Sequence, residues 1–259
     1  MGEVSSRHHL FRSNDRPVTG LEWLDSRHGF SFGDHYDPDN THHGVLMVHN
    51  DETVSPQQGF DTHPHRNMEI VTWVMSGSLV HQDSMDHSGV IYPGLAQRMS
   101  AGSGVTHSER NDTWRGGLVR KSHPIVTGAE PVHYIQMWVL PDDPDTEPGY
   151  EQLDVSDELR AGSLVTVASG MPDYDSAIRI ANSSVAFHVA RLDAGQSVTL
   201  PDLPWGHVFV ASGSARLESV ADDLGAGDAV RITGGGGERL TAITATEVLV
   251  WEMHRTLGG

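Results

Sequence analysis

The sequence predicts an all-β protein built from two similar β-sandwich or barrel units, with few short helices. Three observations carry that expectation. No stretch sustains a helical period; instead, short runs rich in β-branched and aromatic residues recur, each bounded by Gly, Pro, Asp or Ser. Turn signals return about every eight to twelve residues, the rhythm of sandwiches and barrels. The chain also repeats itself. "VMSGSLV" (74–80) is echoed by "VASGSAR" (210–216), and "YPGLAQRMSAGSG" (92–104) by "GAGDAVRITGGGG" (225–237). The physical reading is two copies of one β-unit, each burying its own core.

In the first half the expected strands are "GVLMVH" (44–49), "EIVTWVMS" (69–76), "SLVHQD" (78–83), "GVIYP" (89–93), "AQRMSA" (96–101) and "HYIQMWVL" (133–140). In the second they are "SLVTVA" (163–168), "SVAFHVARL" (184–192), "SVTL" (197–200), "GHVFVAS" (206–212), "SARLES" (214–219), "AVRIT" (229–233) and "TEVLVWEMH" (246–254). The acidic, proline-rich "PDDPDTEPGYEQ" (141–152) marks the boundary between them. The expected division is an N-terminal unit of residues 1–145 and a C-terminal unit of residues 146–259. A short helix is expected over Glu151–Leu159. "NDTWRGGLVRKSHPIVTGAEP" (111–131) reads as a loop inserted before the last strand of the first half.

Composition narrows the chemistry. The 259 residues contain no cysteine, which leaves nitrogen and oxygen as the only metal donors. The formal charge of −18 disfavours nucleic-acid binding, because phosphates need clustered Lys and Arg. Lys121 is the only lysine. An acid-rich, lysine-poor surface fits a salt-adapted source, although genomic base composition gives the same bias. The opening residues have no apolar signal core, and no stretch reaches membrane-spanning length. A soluble, cytoplasmic protein without membrane contact is expected. Most of the 17 histidines, His8, His9, His42 and His43 among them, fall in loop-like sequence and read as solvated.

Four residues stand apart. In "THPHRNMEIVTW" (62–73), His63 and His65 are two apart, so a strand would present both imidazoles on one face. "GSGVTHSE" (102–109) places His107 and Glu109 in the same relation. Two such pairs on adjacent strands can converge on one point inside a barrel. Three imidazoles and a carboxylate suit Fe(II), Mn(II), Co(II), Ni(II), Cu(II) or Zn(II), and an octahedral ion would keep about two positions open. A lone His-x-His pair is equally well explained as surface or core histidine; the second pair after a Pro-Gly turn shifts the balance.

The stretch 59–109, from "GFDTHPHRNMEIVTW" to "GSGVTHSE", resembles the signature region of the pirins, with "WLDSRHGFSFGDHYDP" (23–38) and "IQMWVLPDDPDTEPGYEQ" (135–152) extending the likeness. Pirins are bicupins, so the resemblance implies two jelly-roll β-barrels packed face to face. It implies one metal ion in the N-terminal cupin, iron first and Mn, Co, Ni, Cu or Zn as alternatives, held by His63, His65, His107 and Glu109. The general cupin pattern would instead nominate Glu69 as the carboxylate ligand. The closer pirin pattern moves Glu69 to the surroundings of the site or the pocket wall, with pairing to Arg66 or Arg98 as the alternative. At the matching positions the second half offers only His207 and an isolated Glu238, so no metal is expected there.

Several pirins are quercetin 2,3-dioxygenases, which open a flavonol with O₂ and release carbon monoxide and a depside. The resemblance therefore implies a small aromatic substrate; in the mechanism we expect, Glu109 is the proton acceptor and Trp73, Met75 and Met99 are pocket-lining candidates, with ordinary core packing the better reading of each of the three. Two other readings use the same metal site: a non-enzymatic metal-binding regulator with a protein partner, and an oxygenase or isomerase acting on another enolisable compound.

Overall fold

The computed structural model describes residues 6–112 and 128–258. Most of the expected 111–131 insertion therefore lies outside the described residues. Its base is pinned by Asn111, whose amide donates to the carbonyls of Val54 (3.0 Å) and Glu130 (2.8 Å).

The strands of the first half are β1 (Arg7–Phe11), β2 (Val18–Gly20), β3 (Leu24–His28), β4 (Leu46–Val54), β5 (Gly59–His65) and β6 (Glu69–Ser76), then β7 (Leu79–Asp83), β8 (Ser88–Ile91), β9 (Leu95–Ser100), β10 (Val105–Arg110), β11 (Val132–Val139) and β12 (Gly149–Asp154). A one-turn helix, α1 (Ser156–Leu159), leads to the second half. There the strands are β13 (Val165–Ser169), β14 (Ile178–Arg179), β15 (Val185–Leu192), β16 (Ser197–Thr199) and β17 (Asp202–Ser212), then β18 (Ser214–Leu217), β19 (Leu224–Gly225), β20 (Ala229–Gly236), β21 (Arg239–Ala242) and β22 (Thr246–Met253).

Each half pairs a seven-stranded with a four-stranded sheet: β12-β9-β6-β11-β4-β3-β2 over β5-β10-β7-β8, and β1-β20-β17-β22-β15-β13-β14 over β16-β21-β18-β19. This is the jelly-roll arrangement the sequence predicts. The repeat is visible in the turns. Gly77 (φ 75°) and Gly213 (φ 76°) occupy the same hairpin position, and a Cβ at either would meet a backbone carbonyl, Pro131 or Ala245.

Strand pairing crosses residue 145 in both directions. β1 adds to the edge of the second half's large sheet, with Arg7 opposite Thr233 and Phe11 opposite Ala229. β12 returns to the first half, pairing with β9 from Gly149–Ser100 to Asp154–Leu95. The helix expected over Glu151–Leu159 is accordingly shorter. Through Asp154 the backbone is paired with β9, and only Ser156–Leu159 turns helical. His8 and His9 are strand residues rather than loop residues, and His8 Nε2 bonds Glu238 at 2.8 Å.

The two large sheets pack face to face. Val71, Trp73, Ile135, Met137 and Val139 of the first half meet Phe187, Val189, Phe209, Leu249 and Trp251 of the second. Each large apolar side chain buried there contributes about 1.5–3 kcal/mol relative to exposure. The space between the two sheets differs from half to half. In the second it is apolar, filled by Val198, Leu203, Val208, Leu217, Leu240 and Val250. In the first, buried Glu52, Thr72, His81, Gln97, His107, Glu109 and Gln136 interrupt the apolar side chains.

Candidate metal centre

The centre is built on three adjacent strands of the small sheet. β5 and β10 run antiparallel, with His107 opposite His63 and Val105 opposite His65; a bulge between His107 and Glu109 follows. On its other side β10 pairs β7, with His107 opposite Asp83 and Glu109 opposite His81. Strand alternation sends Val105, His107 and Glu109 inward, as their buried-and-half-buried alternation records.

Three imidazoles meet. Ring centroids lie 4.8 Å apart for His63–His65, 4.5 Å for His63–His107 and 4.8 Å for His65–His107. The Nε2 atoms of His63 and His107 face each other at 3.1 Å. His63 Nδ1 lies 2.7 Å from the Asp61 carbonyl, which assigns the proton to Nδ1 and leaves the Nε2 lone pair toward His107. His65 Nε2 is buried without a hydrogen-bond partner, and its ring stands edge-on to Trp138 at 4.9 Å. Burial pushes His65 down to about 4 and His107 to about 2, so both rings are neutral, the form a metal requires. Converging neutral nitrogens, one of them orphaned, fit a divalent transition ion.

Glu109 lies two residues beyond His107 on β10. It is 2 % exposed, and its Oε2 accepts 2.6 Å from Gln136 Nε2, whose Oε1 accepts 3.0 Å from the Trp138 indole. Burial raises the Glu109 carboxyl above its ordinary range. Glu52, buried nearby and hydrogen-bonded by Ser26, is pushed up to about 7 by burial, with the Glu109 charge adding to the effect. Uncompensated buried carboxyls of this kind are the environment a bound cation would relieve. The potential donor atoms form two overlapping groups, each within 4.8 Å: His63, His65 and His107, and His81, His107 and Glu109. The four predicted ligands thus fall into two groups joined at His107.

Glu69 lies apart from the histidines. It does not share a face with His63 and His65, because it begins a different strand. The turn through Asn67 (φ 52°) intervenes, so the alternation of β5 does not carry through. On β6 the side chains of Val71 and Trp73 face the junction of the halves, and Glu69 shares their side. Its Oε2 accepts from Ser100 Oγ (2.8 Å) and the Ala181 amide (3.0 Å), with Arg98 Nε 3.9 Å away. Of the proposed pocket residues, Trp73 and Met75 also turn to that junction, whereas Met99 joins Ile70, Val105 and Trp138 in a small cluster on the metal side.

His207 also lies at the junction rather than between the sheets of the second half, with its ring 4.7 Å from His49. An opening of about 450 Å³, lined by Pro64, His65, Arg66, Ser84, Gly104, Val105 and Thr106, gives access beside His65. A larger cavity of about 920 Å³ beside Arg7, His43 and Arg231 is lined by none of the candidate ligands. Sequence reasoning missed His81, Gln136 and Trp138. His81 had a signal, since "HQD" (81–83) repeats the i,i+2 spacing of the other two pairs.

The chain is similar to known proteins along most of its length. The Pirin family model matches residues 11–139. A Mycobacterium tuberculosis protein named "Putative quercetin 2,3-dioxygenase" is 54% identical over 247 residues, 95% of this chain and 95% of that protein. The Escherichia coli K12 protein named quercetin 2,3-dioxygenase is 37% identical over 166 residues, 60% of this chain and 66% of that one. Among solved structures, an E. coli bacterial pirin in complex with nickel(II) superposes with a TM-score of 0.82 at 26% identity, covering 97% of this chain and 100% of that chain. In its fold, its clustered histidines and its similarity along nearly the whole chain, this protein belongs to the pirin family.

Proposed function

We propose that this chain is a metal-dependent dioxygenase that cleaves a flavonol with O₂, yielding carbon monoxide and a depside. The metal-binding residues in this reading are His63, His65, His107 and Glu109, and iron(II) is the first candidate ion. The observation that carries the proposal is the convergence of three neutral imidazoles beside a buried carboxylate, the Nε2 atoms of His63 and His107 only 3.1 Å apart. Names carried by relatives at 54% and 37% identity support the reaction class.

A divalent ion, when bound, supplies the Lewis acidity that lowers the pKa of a flavonol hydroxyl. The remaining tasks fall to the chain. Glu109 takes the hydroxyl proton on a carboxylate oxygen, and burial, which raises its affinity for protons, favours that role. Gln136 fixes the carboxylate through Oε2. Trp138, tied to Gln136 and set against His65, gives an aromatic wall that favours a planar substrate and excludes water.

The test is loss of the quercetin absorption band in air with metal-loaded protein, beside metal analysis of wild type and His63→Ala. Turnover by wild type and metal loss in the variant are expected. An unchanged band would overturn the activity, and retained metal in His63→Ala would overturn the site.

A further inference from the structure

We infer that His81 and Asp83 form a positioning chain that holds the His107 ring in the tautomer and orientation needed to bind the metal through Nε2. The inference rests on the metal site proposed above and assigns a role to two residues outside it.

His107 has a choice of nitrogens. Its Nε2 faces His63 Nε2 at 3.1 Å, and its Nδ1 faces His81 Nδ1 at 3.4 Å. A ring that gives its Nε2 lone pair to an ion must carry its proton on Nδ1. That N–H then points at His81 Nδ1, which must accept, so His81 carries its own proton on Nε2. His81 Nε2 lies 3.4 Å from Asp83 Oδ2, a carboxylate that accepts that proton. With both rings neutral and His107 Nε2 given to an ion, only this arrangement of protons satisfies the His107–His81–Asp83 links, and in it the His107 Nε2 lone pair faces the histidine cluster.

The chain is rigid. His81 is fully buried, and the Asp83 side chain is 2 % exposed. Asp83 Oδ1 accepts the backbone amides of Met85 (2.9 Å) and His87 (3.0 Å), which fixes its carboxylate independently of His81. Tyr150 packs on the His81 ring at 4.9 Å. The β7–β10 register sets Asp83 opposite His107 and His81 opposite Glu109. His81 also falls within 4.8 Å of Glu109 and His107, so the rival role for it is a direct ligand.

The experiment measures metal affinity by chelator competition in wild type, His81→Phe, His81→Asn, Asp83→Asn and His63→Ala, with thermal unfolding of the metal-free forms as the fold control. Pulsed EPR on copper(II)-loaded samples counts coordinated imidazoles. The expected result is a loss of about 10–100-fold in affinity for His81→Phe, with the imidazole count unchanged. His81→Asn, whose Oδ1 can accept where Nδ1 did, should recover most of it. Asp83→Asn keeps the Oδ1 bonds but offers an N–H to His81 Nε2, which turns His81 Nδ1 into a donor facing a donor; it should also weaken binding. The inference is overturned by wild-type affinity in His81→Phe, by an imidazole count that drops by one, or by His81→Asn no better than His81→Phe. If His81→Phe fails the fold control, Asp83→Asn decides, and wild-type affinity there overturns the inference. Retained metal in His63→Ala would instead locate the error in the site itself.

Discussion

Two glutamates that sequence spacing makes rivals have different surroundings in the fold. Glu109 is buried beside His107 and gripped by Gln136; Glu69 is buried against Ser100 and the Ala181 amide of the second half. Glu109→Gln should lower metal affinity at least tenfold in a chelator competition while changing stability little, because the amide keeps the shape and removes a charge that burial disfavours. Glu69→Gln should leave metal content intact and lower stability by about 1–3 kcal/mol in denaturant unfolding, the cost of weakening a buried acceptor with two donors. The reverse pattern would exchange their roles. The choice of Glu109 as the carboxylate came from the pirin likeness, whereas the pairing of His63 with His65 and of His107 with Glu109 was legible from parity, since each pair lies within one strand. Glu69 was not, because the Asn67 turn breaks the alternation between β5 and β6. Gln136 and Trp138 were hidden for another reason: they reach the site by the pairing of β11 in the large sheet, which no local pattern encodes.

At the level of elements, strand identity was largely readable, and strand partnership was not. "VMSGSLV" and "VASGSAR" do form equivalent hairpins, because both need a glycine at positive φ. β1, however, reads as a polar loop, and it becomes a strand only because β20 offers an open edge more than two hundred residues away. Its Phe11 ring packs at 4.0 Å over the guanidinium of the buried Arg231, and Phe30 does the same from the first half. Removing residues 1–11 should therefore uncover the β20 edge and one face of a buried cation. The expected outcome is a lower unfolding temperature and concentration-dependent association, read by calorimetry and light scattering. A truncated protein that is as stable and as monodisperse as the full chain would mean that β1 is dispensable to the sheet.

For the molecule as a whole, the junction between the halves is both its largest apolar core and a gathering point for basic side chains. His43 Nε2 lies 2.9 Å from the Ile232 carbonyl, and its ring sits edge-on to Trp205; the His49 ring lies tilted against His207 and Phe209. Burial, reinforced by Arg231 for His43 and chiefly by Arg16 for His49, pushes these two histidines down to about 4 and about 3. The sign follows from proton counting. Between their unfolded value near 6.5 and those folded values, the unfolded chain binds protons that the folded chain refuses. Stability contributed by these groups is therefore intact above about pH 6.5 and is lost as pH falls toward 4. Glu52, raised by burial to about 7, works in the opposite direction: its contribution is full below its ordinary carboxyl range and is lost as pH rises through about 7. The histidine effect is therefore read as a difference between proteins. His43→Gln, which retains an amide N–H for Ile232, should be close to wild type at pH 7.5. By pH 4.5 it should be relatively more stable, by up to about 3 kcal/mol. Denaturant unfolding of both proteins across that range measures the gap, and curves that stay parallel would remove His43 from the acid sensitivity of the junction.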